Sequence, residues 1–416
     1  MKQIIERLCA ERRDLISQGY DNALYYLADL VPEMQIHEYP TGTEAWSWII
    51  PPKWEVRDAY VIAPHCKALI NLENHGLHVM SYSRSVDKVV SHGELMAHLR
   101  TDPNAPDAIP FHFSYYKPDW AFCVEHNRLK EFTHDEYRVY IDSAHLRGEL
   151  KVGEVFLPGA ERDEIVLIAH LCHPYQANDN ASGCAVLCAL ADRLRNTYHK
   201  LSYRIILCPE TVGSIAYLAH NEHLLQHMKY GIAVDMLGND NRLILQRTPK
   251  GDTQIDKAAE LYIQESAPYR AVVSNDEKVL NAVGVKVPCI SITRAEQWGA
   301  EGKIPYYGYH TSHDSPERIH SELLEQALQT IEQILKALNE SYRPVSKVRG
   351  PIMLSRHGLW IDHAQDRELS LKQSEALDML DGEHTVIDIA HSLGLDFDVL
   401  AGWLERFRQG GLIDGS

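Results

Sequence analysis

Between residues 165 and 340, short apolar runs alternate with segments whose apolar positions repeat at helical spacing. IVLIAH (165–170), RIILC (204–208), GIAV (231–234) and PCISIT (288–293) are runs of strand length with little polar alternation. Such runs predict strands buried on both faces. SGCAVLCALADRLRNTY (182–198), SIAYLAHNEHLLQHM (214–228), DTQIDKAAELYIQ (252–264) and ELLEQALQTIEQILKALNESY (322–342) each carry an apolar stripe between polar positions, the pattern of amphipathic helices. Strand–helix alternation predicts an α/β fold with a mainly parallel, mixed sheet flanked by helices.

The flanking regions read differently. Residues 1–31 predict helices, with apolar positions at Ile4, Ile5, Leu8 and Leu15 and then at Leu24, Leu27 and Leu30; QIHEYPTG (35–42) predicts a first strand. From 46 to 145 the chain is rich in Trp, Tyr, His and Pro, and its apolar runs are short: DAYVIAP, KALINL, VDKVVS, PFHFSYY, WAFCVE, YRVYIDS. That pattern predicts a mostly β insertion. GELKVGEVFLPG (148–159) then returns to the sheet. RPVSKVRG (343–350) reads as a linker, and three helical segments with Gly breaks and a β-like tail predict a winged helix over 343–416. The expected organisation is an α/β catalytic domain from 1–45 and 146–342, an inserted β domain at 46–145 and a C-terminal winged helix.

Charge narrows the partners. With 41 Lys and Arg against 58 Asp and Glu the net charge is −17, which disfavours nucleic acid and anionic membranes. Residues 351–416 hold five Lys or Arg against twelve Asp or Glu, a net charge of −7, and the presumed recognition helix begins Asp396-Phe397-Asp398. Phosphates would repel it, so a winged-helix regulator is the weaker reading. Protein contact or homo-oligomer formation suits this unit better, with Trp360, Leu400, Trp403 and Phe407 exceeding the evident needs of a small core. The eight cysteines form no CxxC pair, the N-terminus lacks a signal-peptide core and no apolar stretch is long enough to cross a membrane. A cytoplasmic protein is expected.

The candidate chemistry lies at the ends of the apolar runs. His170 and Asp179 follow the first, Glu210 the second and Asp235 the third; His310 comes from YYGYHTSHDS (306–315). Open α/β sheets build sites at the carboxyl ends of their strands, and imidazole with carboxylate suits zinc. Each residue has a plainer alternative. His170 fits a buried structural histidine, and His173 competes with it as a ligand. Asp179 fits a helix cap, a role that Ser182 can also fill. Asp235 ends an apolar run, where an unpaired acid is costly. Arg294, just past PCISIT, fits either a substrate carboxylate or an ion pair.

Asn178-Asp179-Asn180-Ala181-Ser182-Gly183, Val234-Asp235-Met236-Leu237-Gly238 and Tyr309-His310-Thr311-Ser312-His313-Asp314 occur in this order after His170. Together they resemble the motifs of the co-catalytic zinc aminopeptidases of the bacterial leucyl aminopeptidase type, over roughly residues 150–340. The nearest likeness is to a subgroup of aminopeptidase-like proteins with an inserted β domain and a C-terminal winged helix. The resemblance implies zinc bound by His170, Asp179, Asp235 and His310, with Asp179 between two metal positions. It implies Glu210 as general base towards metal-bound hydroxide, Tyr309 as oxyanion donor, and cleavage of an amide at the amino end of a peptide or aminoacyl conjugate. Asp314 is expected to orient His310. Two positions depart from the family: Thr211 replaces its second Glu, and Cys172 replaces an Asp. One tight zinc and a weak second position, with His173 as a substitute ligand, are therefore expected. A non-catalytic metal- or ligand-binding protein is the alternative.

Overall fold

The computed structural model describes residues 1–272, 274–296 and 304–415. Its central sheet has eight strands: β1 (Met34–Pro40), β2 (Glu149–Leu157), β3 (Glu164–His170), β4 (Ser202–Cys208), β5 (Met228–Asp235), β6 (Ile244–Gln246), β7 (Glu265–Ala267) and β8 (Cys289–Thr293). Their order is β1-β2-β4-β3-β5-β8-β6-β7. The four middle strands, β4-β3-β5-β8, pair in parallel, while β1 and β2 on one side and β6 on the other join antiparallel. The unbroken apolar runs are these four parallel strands, and every residue of β3, β4 and β8 is buried. Helices Gly183–Leu194, Val212–His220, Gln254–Glu260 and Ser321–Glu340 flank the sheet, giving the mixed α/β architecture. Registers pair His170 with Cys208 and Asp235 with Thr293, so the carboxyl ends of the parallel strands finish on one edge.

Residues 53–146 include a four-stranded antiparallel sheet in the order Ala68–Asn71, Lys53–Ile62, Glu136–Leu146, Val86–Ser91. The run at 110–116 does not form the strand its alternation predicts. It is tied to the His310 loop instead: Phe111 N–H donates to the His310 carbonyl (2.7 Å) and Ser312 N–H to the Ile109 carbonyl (2.8 Å).

At the C-terminus, helices Arg367–Asp378, Val386–Leu393 and Phe397–Gln409 accompany a two-stranded antiparallel pair, Pro344–Ser346 with Ile413–Gly415. Leu400, Trp403 and Phe407 are buried there, and Trp403 Nε1 donates to the Leu359 carbonyl (2.9 Å). The expectation of surplus apolar surface is thus corrected for those three, which form the core of the unit. Trp360 alone of the four is exposed, at 57%. Among the described residues no helix is long and apolar enough to cross a membrane.

Candidate active site

The motifs are laced to one another through their amides and hydroxyls. Asn178 Oδ1 accepts from Gly238 N–H (2.8 Å), and Ser182 Oγ donates to the Asn178 carbonyl (2.6 Å) while accepting from Leu237 N–H (3.0 Å). Asn180 Nδ2 donates to the Val234 carbonyl (2.8 Å), and its Oδ1 accepts from Gly183 N–H (2.9 Å). Asn180, not Ser182, therefore caps the helix at Gly183–Leu194. A Cβ at Gly183 would lie 2.4 Å from that same Oδ1, so glycine is required there. This lacing holds the loop after β3 against the end of β5.

Asp179 sits at the focus. Its Oδ1 is 2.8 Å from His170 Nε2, its Oδ2 is 2.9 Å from His310 Nε2, and His173 Nε2 lies 3.9 Å from Oδ2. Three imidazoles from two distant segments thus surround one buried carboxylate. His170, His173 and Asp179 are close enough to share one metal ion. Burial opposes charge on Asp179, but the imidazoles of His173, His170 and His310 outweigh it and hold its carboxyl well below the usual range. Burial pushes His173 well down, towards the neutral imidazole that ligates metals. Burial also acts to lower His170, yet Asp235 and Asp179 outweigh it and raise that imidazole to about 10.

Asp235 is raised well above the ordinary carboxylate range by burial and by repulsion from Asp179 and Glu210. Asn275 Nδ2 donates to its Oδ2, while among the described residues its buried Oδ1 has no hydrogen-bond partner. A carboxylate oxygen left unpaired beside histidines and a second carboxylate is a good donor for a cation. The donor set of imidazole and carboxylate fits zinc.

Glu210 follows β4, with its side chain 27% exposed; Oε2 lies 3.9 Å from His173 Nε2 and Oε1 lies 3.6 Å from Lys278 Nζ. Its N–H donates to Cys172 Sγ (3.0 Å), so the thiol standing where the resembled family has Asp anchors the Glu210 backbone. Burial pushes that thiol well above its usual range and keeps it neutral. Thr211, Met236 and His310 adopt φ of +62°, +53° and +52°, a strained left-handed backbone beside Glu210, beside Asp235 and at His310 itself. The Tyr309 ring stacks on His310 (4.0 Å between centroids), and burial raises its phenol far above the usual range, so it remains a neutral donor.

One expectation is corrected. Asp314 does not orient His310. Its Oδ1 accepts from Asn178 N–H (2.8 Å) and its Oδ2 from Asp179 N–H (3.0 Å) and Tyr306 Oη (2.7 Å), which fixes the backbone carrying Asp179. Arg294 is likewise engaged by its own chain: it donates to the carbonyls of Leu237 (3.0 Å), Asn241 (2.8 Å) and Leu323 (3.2 Å) and to Gln326 Oε1 (2.6 Å). These contacts tie the end of β5 to the helix Ser321–Glu340. Asp314→Ala would orphan the donors held by the carboxylate, at about 1–3 kcal/mol for each left buried. We expect a clear fall in the denaturation midpoint with unchanged slope.

Sequence reasoning overlooked Ser274–Lys278. Asn275 reaches Asp235, and Lys278 faces Glu210. Asp276 Oδ1 accepts from Thr211 N–H (2.9 Å) and Ser214 Oγ (2.6 Å). The signal available was a polar SNDEK cluster running into a short helix, Glu277–Leu280, which reads as an ordinary surface turn. Phe111 was also overlooked; its ring stands edge-on to His173 and His310, 5.4 Å from each.

Comparisons with known proteins bear on the family and the fold. A Clostridium acetobutylicum protein named for polysaccharide biosynthesis and an aminopeptidase-like domain is 31% identical over 408 residues, covering 95% of this chain and 91% of that one. A crystal structure of a candidate peptidase from Clostridium acetobutylicum superposes with a TM-score of 0.87 at 28% identity, covering 100% of this chain and 96% of that one. A zinc aminopeptidase from Bacillus subtilis matches with a TM-score of 0.61 at 14% identity, over 81% of this chain and 93% of that one, and so shares the fold. A family model described as a domain of unknown function, DUF4910, matches residues 2–341, and the chain belongs to that family.

Proposed function

We propose that the protein is a zinc-dependent hydrolase that cleaves an amide at the amino end of a peptide or aminoacyl conjugate. The observation that carries this reading is the convergence of His170, His173 and His310 on Asp179, with Glu210 alongside. His170, Asp179, Asp235 and His310 would hold the metal, and His173 would serve a second, weaker position. Bound zinc supplies Lewis acidity, lowering the pKa of a water and polarising the scissile carbonyl. Glu210 takes the proton of the attacking water and delivers it to the leaving amine. The Tyr309 hydroxyl donates to the oxygen on which negative charge develops. The segment at 109–113, bonded to the His310 loop, walls one side of the cleft and favours short substrates.

The neutral Thr211 and Cys172 support a second reading, metal binding without turnover. We read residues 343–416 as a winged helix used for protein contact, with exposed Trp360 on its outer face. The discriminating experiment is a panel of aminoacyl amides with free and blocked amines, assayed with and without chelator. Cleavage confined to free amines, lost on chelation and restored by zinc, is expected. Zinc uptake with no turnover on any member favours the second reading, and chelator-insensitive turnover contradicts both.

A further inference from the structure

We propose that Arg13 is a positioning residue for the histidine loop, fixing the backbone from which His173 projects; this rests on the metal-site reading above. Arg13 lies between the first two helices, Lys2–Cys9 and Gln18–Leu30, and is fully buried. Its Nε donates to the Leu171 carbonyl (2.9 Å), and its Nη2 donates to the carbonyls of His173 (2.7 Å) and Gln176 (2.8 Å). Nη1 donates to the Leu8 carbonyl at the end of the first helix. Three carbonyls across residues 171–176 therefore turn towards one guanidinium, while the His173 ring faces Asp179 from the same segment.

Chemistry explains the choice of residue. Among the described residues Arg13 forms no ion pair, so its charge is met by carbonyl dipoles. A buried cation is costly unless its donors are satisfied, and a planar fork with five N–H groups can satisfy several acceptors at once. An ammonium is a point donor on a flexible stem and cannot span the same carbonyls in one plane. Neighbouring contacts point the same way. Cys9 Sγ donates to the Tyr175 carbonyl (3.0 Å), so the carbonyls of residues 171, 173, 175 and 176 all receive bonds from residues 9–13. Arg12 reaches in the other direction. It donates to the carbonyls of Gly76 and Val79 (3.1 Å for the latter) and lies 4.8 Å over the Trp54 ring. The Arg12-Arg13 pair thus clamps the inserted region with one residue and the histidine loop with the next. Neither arginine belongs to the candidate catalytic set itself.

The test uses full-length wild type, Arg13→Lys and Arg13→Ala. Zinc affinity is read by competition with a chromophoric chelator, and near-UV circular dichroism of the metal-free proteins reports folding. Both folded variants should bind the second, weaker zinc equivalent, the one that His173 would serve, about tenfold or more weakly, the range for losing a group that orients a ligand. Guanidinium ion, added below concentrations that unfold the protein, should restore affinity to Arg13→Ala, and methylammonium should not. A purely structural role predicts lower stability without this selective rescue. Wild-type affinity in folded Arg13→Lys, or failure of guanidinium to rescue Arg13→Ala, overturns the proposal. If neither variant folds, the Arg13 Nε–H resonance of wild type decides: it should move as zinc is titrated in, and an unmoved resonance overturns the assignment. Wild type that binds no zinc sinks the metal-site reading, and this proposal with it.

Discussion

Glu210→Gln should lower turnover of any aminoacyl amide the protein hydrolyses by a factor of about 10² or more while leaving zinc content little changed. The amide keeps the size of the carboxylate and removes its ability to accept a proton. Glu210 is partly exposed, lies 3.9 Å from His173 and has its backbone N–H bonded to Cys172, so the substitution changes chemistry more than packing. The loss should appear in kcat as well as kcat/KM, because proton transfer belongs to the reaction and not to binding. Retention of most of the turnover would make Glu210 a residue of the loop, with the base elsewhere.

Asp179→Asn should have its largest effect on the metal. The carboxylate is the common neighbour of His170 and His310, and it is held by the Asp314 bonds to its own backbone and to that of Asn178. Removing its charge should weaken zinc by at least the 10- to 100-fold range of about 1.4–2.8 kcal/mol known for outer-shell partners. Calorimetric zinc titration of wild type and variant checks this. Equal affinities would mean that Asp179 caps the loop and that metal, if bound, sits elsewhere.

Much of this arrangement is legible along the chain because the parallel strands are buried on both faces. Their apolar runs stand out, and a polar residue directly after such a run is conspicuous. His170 and Asp235 end β3 and β5, and Glu210 lies two residues past β4. What sequence cannot convey is which polar side chains spend their hydrogen bonds within the chain. Arg294 follows β8 just as Glu210 follows β4, yet its guanidinium is taken up by carbonyls. Arg13 sits in a charged Arg12-Arg13-Asp14 triplet that reads as solvated surface, and it is wholly buried. Asp314 lies four residues after His310, a spacing that suggests contact, but the turn sends its carboxylate to Asn178 and Asp179. The stretch at 110–116 alternates like a strand and is captured by the His310 loop, a pairing separated by some two hundred residues of sequence.

Zinc reconstitution tests the central claim most directly. Metal-free protein is titrated with zinc while bound metal and aminoacyl-amide hydrolysis are followed together. One tightly held equivalent should restore most of the turnover, with a weaker second equivalent because Thr211 brings no carboxylate to the second position. Full turnover before any zinc is added, or tightly bound zinc with no hydrolysis of any free-amine substrate, would contradict the account.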